Sequence, residues 1–119
     1  MANDFKRYNV SSVTTSTGAS GDSLYTVPSS GSAMESIIIG ITLANKSASG
    51  VTADVYLDGY DGTDSYIVKG ASIPTGSSLE VMAGNKIDLQ GNGSANDVVR
   101  VSCGTSSALD ATISVLEDV

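Results

Sequence analysis

The sequence predicts an all-β protein, a two-sheet antiparallel β-sandwich of about eight or nine short strands. Short β-branched or alternating segments recur along the chain, and clusters of Gly, Ser, Asn and Asp separate them. Of the 119 residues 13 are glycine and only 16% are charged, which is typical of strands joined by tight turns. No segment has the amphipathic periodicity of a helix. Strand number leaves jelly-roll and immunoglobulin-like arrangements open, although the Cys, Trp, Cys core of antibody domains is absent.

The most apolar segment, residues 36–45, predicts the central strand. A period of two places Ile37, Ile39, Ile41 and Leu43 on one face, which we expect to be the core face. Small residues, Gly40 among them, occupy the other face. Five residues of this and later strands are expected to be buried between two sheets: Ile39, Ile41, Val55, Val101 and Ile113.

Further strands are predicted over residues 24–28, 51–57, 64–69, 79–82, 87–89, 98–103 and 109–116. In the strand over 51–57 Val55 points inward and Tyr56 outward, and Gly70 is expected to end the next strand. The last two predicted strands are expected to pair with each other. We expect residues 1–23 to form an N-terminal arm or edge strand and a loop, and residues 24–119 to form the β-sandwich domain.

Composition argues against several classes of partner. The 6 Lys and Arg residues against 13 Asp and Glu give a net charge of −7, whereas nucleic-acid binding needs a basic surface. No segment approaches the ~20 apolar residues of a membrane span, and the N-terminus lacks the apolar region of a secretion signal. We therefore expect no nucleic-acid partner, no membrane, and synthesis in the cytoplasm of a host cell.

The chain carries no recognisable catalytic chemistry, so we predict that it is not an enzyme and needs no cofactor. It has no His, which is the usual general base and a common metal ligand. Its one cysteine, Cys103, lies in an alternating apolar strand, where a buried thiol is expected.

Three aspartates, Asp58, Asp61 and Asp64, are weak candidates for a metal site. Carboxylates between glycines could wrap a hard cation such as calcium. However, Asp and Gly also dominate ordinary turns, and the spacing does not match a helix-flanked calcium loop. We favour plain turn chemistry and predict no metal site.

The candidate partner-binding residues are Phe5, Lys6, Arg7 and Tyr8. They combine two rings and two positive charges on an acidic protein, and aromatic and Arg residues are enriched in interfaces. An edge strand protected by its charged side chains is the alternative interpretation. The loops over residues 17–23 and 91–96 are the next candidates.

Several segments carry a resemblance to a known family: 24–28 (LYTVP), 39–47 (IGITLANKS), 51–57 (VTADVYL), 73–80 (IPTGSSLE) and 109–117 (LDATISVLE). From Leu24 onward the chain resembles small β-sandwich virion structural proteins of tailed bacteriophages, notably those of marine bacteria. The resemblance implies a capsid decoration or cement protein or a tail-associated protein, and it supplies no functional residue.

We therefore expect a decoration protein on the outer surface of the major capsid protein shell, located in the virion, whose partner is the major capsid protein or another virion protein and which is a possible homo-oligomer. The alternatives are a tail- or neck-associated adaptor or fibre domain, and a carbohydrate-binding module. The last needs exposed aromatic rings, and only Tyr56, Tyr60 and Tyr66 lie close together in the sequence.

Overall fold

Apolar residues alternate with polar ones along most of the central strands, so these strands bury one face. The computed structural model describes residues 3–28, 35–81, 86–91 and 95–118. Within these ranges no helix is long and apolar enough to cross a membrane. The strands of the described residues are β1 (Asn3–Val10), β2 (Asp22–Thr26), β3 (Glu35–Asn45), β4 (Val51–Asp58), β5 (Asp64–Ile73), β6 (Ser78–Glu80), β7 (Ile87–Gln90), β8 (Val98–Cys103) and β9 (Leu109–Asp118).

The strands form two antiparallel sheets, which confirms the predicted β-sandwich. The first sheet has the order β1-β9-β3-β6, with β7 also pairing with β3, and the second has the order β2-β8-β4-β5. The pairs are nested along the chain: β1 with β9, β2 with β8, β3 with β6 and β7, and β4 with β5. This nesting is that of a long hairpin rolled into two sheets, the jelly-roll arrangement, and it differs from the strand order of immunoglobulin domains.

The expected pairing of the last two strands is wrong. β8 lies between β2 and β4 in the second sheet, whereas β9 lies between β1 and β3 in the first. Both edges of each strand are therefore occupied by other partners, and the short connection between β8 and β9 crosses from one sheet to the other.

The core prediction holds at four of its five residues, since Ile41, Val55, Val101 and Ile113 are fully buried between the sheets. Ile39 is the exception, with 38% of its surface exposed. The register between β3 and β9 shifts between Ile38 and Gly40, so Ile39 is an extra residue in a β-bulge. Because of the bulge, Ile38 lies on the core face and Ile39 on the outer face, whereas the sequence pattern placed Ile39 on the core face.

Tyr56 is buried, although the alternation of β4 placed it on a solvated face. A 3-10 turn at Gly18–Ser20 covers this part of the second sheet, and the Tyr56 hydroxyl donates a hydrogen bond of 2.6 Å to the Gly18 carbonyl. Gly21 lies so close that a Cβ atom there would overlap the Tyr56 hydroxyl.

Gly70 does not end its strand, since β5 continues to Ile73. Gly70 has a φ of +64°, and its N–H donates a hydrogen bond of 2.6 Å to Asp54 Oδ1 on the neighbouring strand. The aspartate accepts an N–H group near the point where the register of β4 and β5 shifts.

The N-terminal segment forms an edge strand. β1 pairs with β9 over all eight of its residues, from Asn3 to Val10. Beyond β1 the chain packs onto the sandwich at Val13, which is fully buried and whose N–H donates a hydrogen bond of 2.9 Å to the Leu109 carbonyl.

Candidate docking surface

The four predicted partner-binding residues all lie on β1, but they divide between its two faces. Lys6 and Tyr8 lie opposite Val115 and Ile113 of β9, both fully buried, so they point to the inner face of the sheet. Phe5 and Arg7 lie on the outer face. The structure therefore does not bring the four side chains into one surface.

Tyr8 packs within the molecule. Its ring lies against the ring of buried Tyr25, with 5.3 Å between the centroids. The Tyr25 hydroxyl donates a hydrogen bond of 2.6 Å to the buried Glu117 carboxylate and lies 2.8 Å from Ser36 Oγ. Burial and the adjacent Glu117 carboxylate raise the pKa of Tyr25 well above its usual value. Tyr8 therefore contributes to the packing around a buried polar network.

Phe5 begins an apolar row across the outer face of the first sheet. It lies opposite Leu116 of β9, and Leu116 lies opposite Ile37 of β3. Phe5 is 77% exposed, and the bulged Ile39 adds a side chain that is 38% exposed. We call Phe5, Leu116, Ile37 and Ile39 the outer-face row. Because the outer face of an antiparallel sheet is commonly polar, this row is the candidate docking surface of the described residues.

Positive charge adjoins the outer-face row. Arg7 is two residues along β1 from Phe5 on the same face, and Lys6 is exposed at the same sheet edge. Neither side chain forms an ion pair among the described residues. Lys46 and Arg100, by contrast, each lie 2.8 Å from an aspartate oxygen, of Asp110 and Asp58 respectively. Lys6 and Arg7 are therefore cations without an ion-pair partner among the described residues, on a chain whose net charge is −7.

The aspartates of the β4–β5 turn have separate structural roles. Asp58 accepts a hydrogen bond of 2.8 Å from Arg100 Nε, and Asp61 Oδ1 accepts one of 3.0 Å from the Thr63 N–H. Asp64 lies opposite Asp58 across the hairpin, and partial desolvation together with the Asp58 carboxylate raises the pKa of this exposed side chain. Within the described ranges no group of three or more His, Cys, Asp or Glu residues could hold a metal ion.

The three tyrosines do not form a platform for a sugar. Tyr56 and Tyr66 pack against each other across β4 and β5, with 5.2 Å between ring centroids, and Tyr56 is buried. Tyr60 is separate and lines an open hollow of about 330 Å³ together with Asp61 and Asp88.

Asp97 also lines this hollow, and its role was not identified from the sequence. Its buried carboxylate accepts hydrogen bonds from the N–H groups of Tyr60, at 2.8 Å, and Gln90, at 2.9 Å. It thereby ties the β4–β5 turn to β7 of the other sheet. A single aspartate in a loop gives no sequence signal for this role.

Three residues of the outer-face row, Ile37, Ile39 and Leu116, were also not identified from the sequence as surface residues. A signal existed in the run Ile37, Ile38 and Ile39, because consecutive isoleucines must place apolar side chains on both faces of a strand. Leu116 became recognisable only when the register placed it between Phe5 and Ile37.

The chain matches no protein-family model and no curated protein. Solved structures of infectious bursal disease virus are similar to it. The crystal structure of the viral particle aligns with a TM-score of 0.49 and 13% identity, over 97% of this chain and 30% of the viral chain. The structure of the Gt strain aligns with a TM-score of 0.37 and 12% identity, over 98% of this chain and 32% of the viral chain.

The Gx strain gives a TM-score of 0.39 at 12% identity, over 97% of this chain and 32% of the viral chain. The chain thus spans about a third of the length of these viral chains. Likenesses this distant do not establish a shared function.

Proposed function

We propose that this chain is a non-enzymatic structural protein of a bacteriophage virion, a decoration or cement protein that binds the outer surface of the major capsid protein shell. The observation that carries the proposal is the outer-face row, a partly exposed apolar strip on the sheet that contains β1. Aromatic and Arg residues are enriched among the residues that anchor protein interfaces, and this strip contains Phe5 with Arg7 on the same face of β1.

Three other features support a binding role in a virion. The chain has no His, and its one cysteine is buried, so it lacks the usual general base and an accessible thiol nucleophile. The jelly-roll arrangement is common in viral capsid domains, although lectins and cupins share it and fold alone does not determine function. The resemblance to phage virion proteins supports a particle-bound role.

The test is binding to assembled empty shells that lack this chain, measured by co-sedimentation. Phe5→Ser removes the most exposed ring of the row. An aromatic anchor contributes about 2 kcal/mol or more to an interface, so binding should weaken roughly 30-fold. Because β1 is a strand of the sheet, a point substitution tests the surface with less disturbance than deleting the N-terminus.

Tyr66→Ser is the matched control, since Tyr66 is an exposed ring, 46% accessible, on the other sheet. It should bind shells as the parent protein does. Urea unfolding of both variants verifies that they remain folded under the conditions of sedimentation. Full shell occupancy by a folded Phe5→Ser protein would contradict the proposed docking surface.

A further inference from the structure

The free edge of β1 differs from the other sheet edges within the described ranges. β2 carries a register shift between Ser23 and Tyr25, and the pairing of β5 with β4 shifts twice. The edge opposite β1 is divided between the short strands β6 and β7. β1 pairs with β9 over eight residues without a shift, so its other edge is straight and continuous. Proteins usually interrupt such edges, because they are templates for pairing with another chain.

The hydrogen bonds at the end of β9 show which backbone groups of β1 are free. The Leu109 carbonyl accepts the Val13 N–H, on the β1 side, whereas the Ala108 carbonyl accepts the Lys46 N–H, on the β3 side. Backbone groups alternate along a strand, so the odd-numbered residues of β9 direct theirs toward β1. Their partners on β1 are the even-numbered residues.

The N–H and C=O groups of Phe5, Arg7 and Asn9 therefore point away from β9, toward the open edge. No hydrogen bond of these groups occurs among the described residues. Three donors and three acceptors are thus in line along one strand, spaced for an added strand. The same residues present their side chains on the outer face, next to the outer-face row.

The positive charges of Lys6 and Arg7 indicate which kind of strand could pair with the open edge of β1. A second copy pairing antiparallel about Arg7 would place the two Arg7 side chains directly opposite each other, and pairing about Lys6 would do the same for the two Lys6 side chains, which is unfavourable. A strand with carboxylates beside Lys6 and Arg7 and an apolar residue beside Phe5 would instead pair with both cations and cover the Phe5 ring.

We propose that the open edge of β1 binds an extended acidic segment of a partner protein by strand addition. This rests on the proposed function, because the segment would belong to the shell protein that the outer-face row contacts. Backbone hydrogen bonds would supply affinity, and the two cations would supply orientation and selectivity.

Asn9→Pro and Asn9→Ala form the decisive pair of variants. Proline removes the outward N–H of residue 9, and an edge strand tolerates proline where its N–H faces solvent. Alanine removes the same side chain but keeps the N–H. Equal urea midpoints for the two variants would verify that the fold is intact.

The probe is a synthetic eight-residue peptide of alternating Thr and Val, with two Glu residues placed beside Lys6 and Arg7. Amide hydrogen exchange by NMR reports its binding. We expect the peptide to slow exchange at Phe5, Arg7 and Asn9 by about tenfold or more. Asn9→Ala should bind like the parent, and Asn9→Pro should bind about tenfold more weakly. The same peptide with Lys in place of Glu should give no protection.

Equal binding of the acidic peptide to Asn9→Pro and Asn9→Ala, or no binding at all, would overturn strand addition. A dimer of the parent protein that Asn9→Pro abolishes would assign the edge to a second copy and also overturn the proposal. If the peptide binds but shells do not, strand addition stands and the shell as partner is wrong. If shells bind both Asn9 variants equally, the docking function stands and strand addition by a segment of the shell protein is wrong.

Discussion

The bulge in β3 makes two adjacent isoleucines an internal test of the fold. Ile38 is fully buried and Ile39 is 38% exposed. Truncation of Ile to Ala deletes three carbons, which at about 0.8 kcal/mol per buried methylene gives about 2.4 kcal/mol of lost transfer free energy. For Ile38→Ala the cavity left in the core adds to this loss, so we expect a total of about 2 to 5 kcal/mol.

Ile39→Ala should cost less. Part of its side chain already contacts solvent, and the vacated volume opens to water instead of becoming a cavity. Scaling the transfer term by the buried fraction gives about 1.5 kcal/mol at most. The two substitutions are chemically identical and one residue apart, so the difference between them reports burial alone.

Urea unfolding followed by far-UV circular dichroism measures both free energies of unfolding. The expected order is parent, then Ile39→Ala, then Ile38→Ala. If Ile39→Ala lost as much stability as Ile38→Ala, or more, the bulge would be misplaced and Ile39 would belong to the core. Binding to shells gives an independent readout, because Ile39→Ala should weaken docking while remaining folded.

Three further predictions concern polar groups. Tyr25→Phe should lower the free energy of unfolding by about 1 to 3 kcal/mol in urea titrations, because buried Glu117 loses a hydroxyl donor; an unchanged midpoint would contradict this. Asp97→Ala should cost at least about 2 kcal/mol, since two N–H groups lose their acceptor, and Asp97→Asn should cost less because one oxygen remains; equal losses would argue against the bonding assigned to the carboxylate. The hydrogen bond from Lys46 and the N–H of Ser12 hold the pKa of Asp110 below its usual value, so Asp110 stabilises the protein above the unfolded-state pKa and this contribution is lost as pH falls through the folded-state pKa. Asp110→Asn should therefore cost less than about 1 kcal/mol at pH 7 and nothing at low pH, and a pH-independent loss would contradict the assignment.

The strand pattern predicted the class of fold because short alternating segments and turn residues are local signals. Strand existence, the central position of β3 and the burial of Cys103 all follow from apolar periodicity. The pairing of β8 with β2 and β4 does not follow from periodicity, because a hairpin and a crossover between sheets can use connections of the same length. Which strands pair depends on which strand edges are still unpaired, and this depends on contacts between residues far apart in the chain.

The candidate site was predicted in part. Phe5 and Arg7 are exposed on β1, but Leu116 and Ile37, the neighbours of Phe5 in the row, are distant in sequence and meet it only through strand register. The inward direction of Tyr8 and the outward direction of Ile39 likewise depend on register and on one extra residue. Period-two arguments cannot place a bulge, because a single insertion exchanges the faces of all residues beyond it.

The central claim is that this chain covers a capsid shell. Quantitative mass spectrometry of purified particles that contain the chain tests it most directly, by the ratio of this chain to the major capsid protein. A decoration protein should be present at a copy number comparable to that of the capsid subunits. Phe5→Ser should lower the ratio of this chain to the capsid protein, while Tyr66→Ser should leave it unchanged. A ratio matching the few copies of a tail or neck component, or one unaffected by Phe5→Ser, would contradict the account.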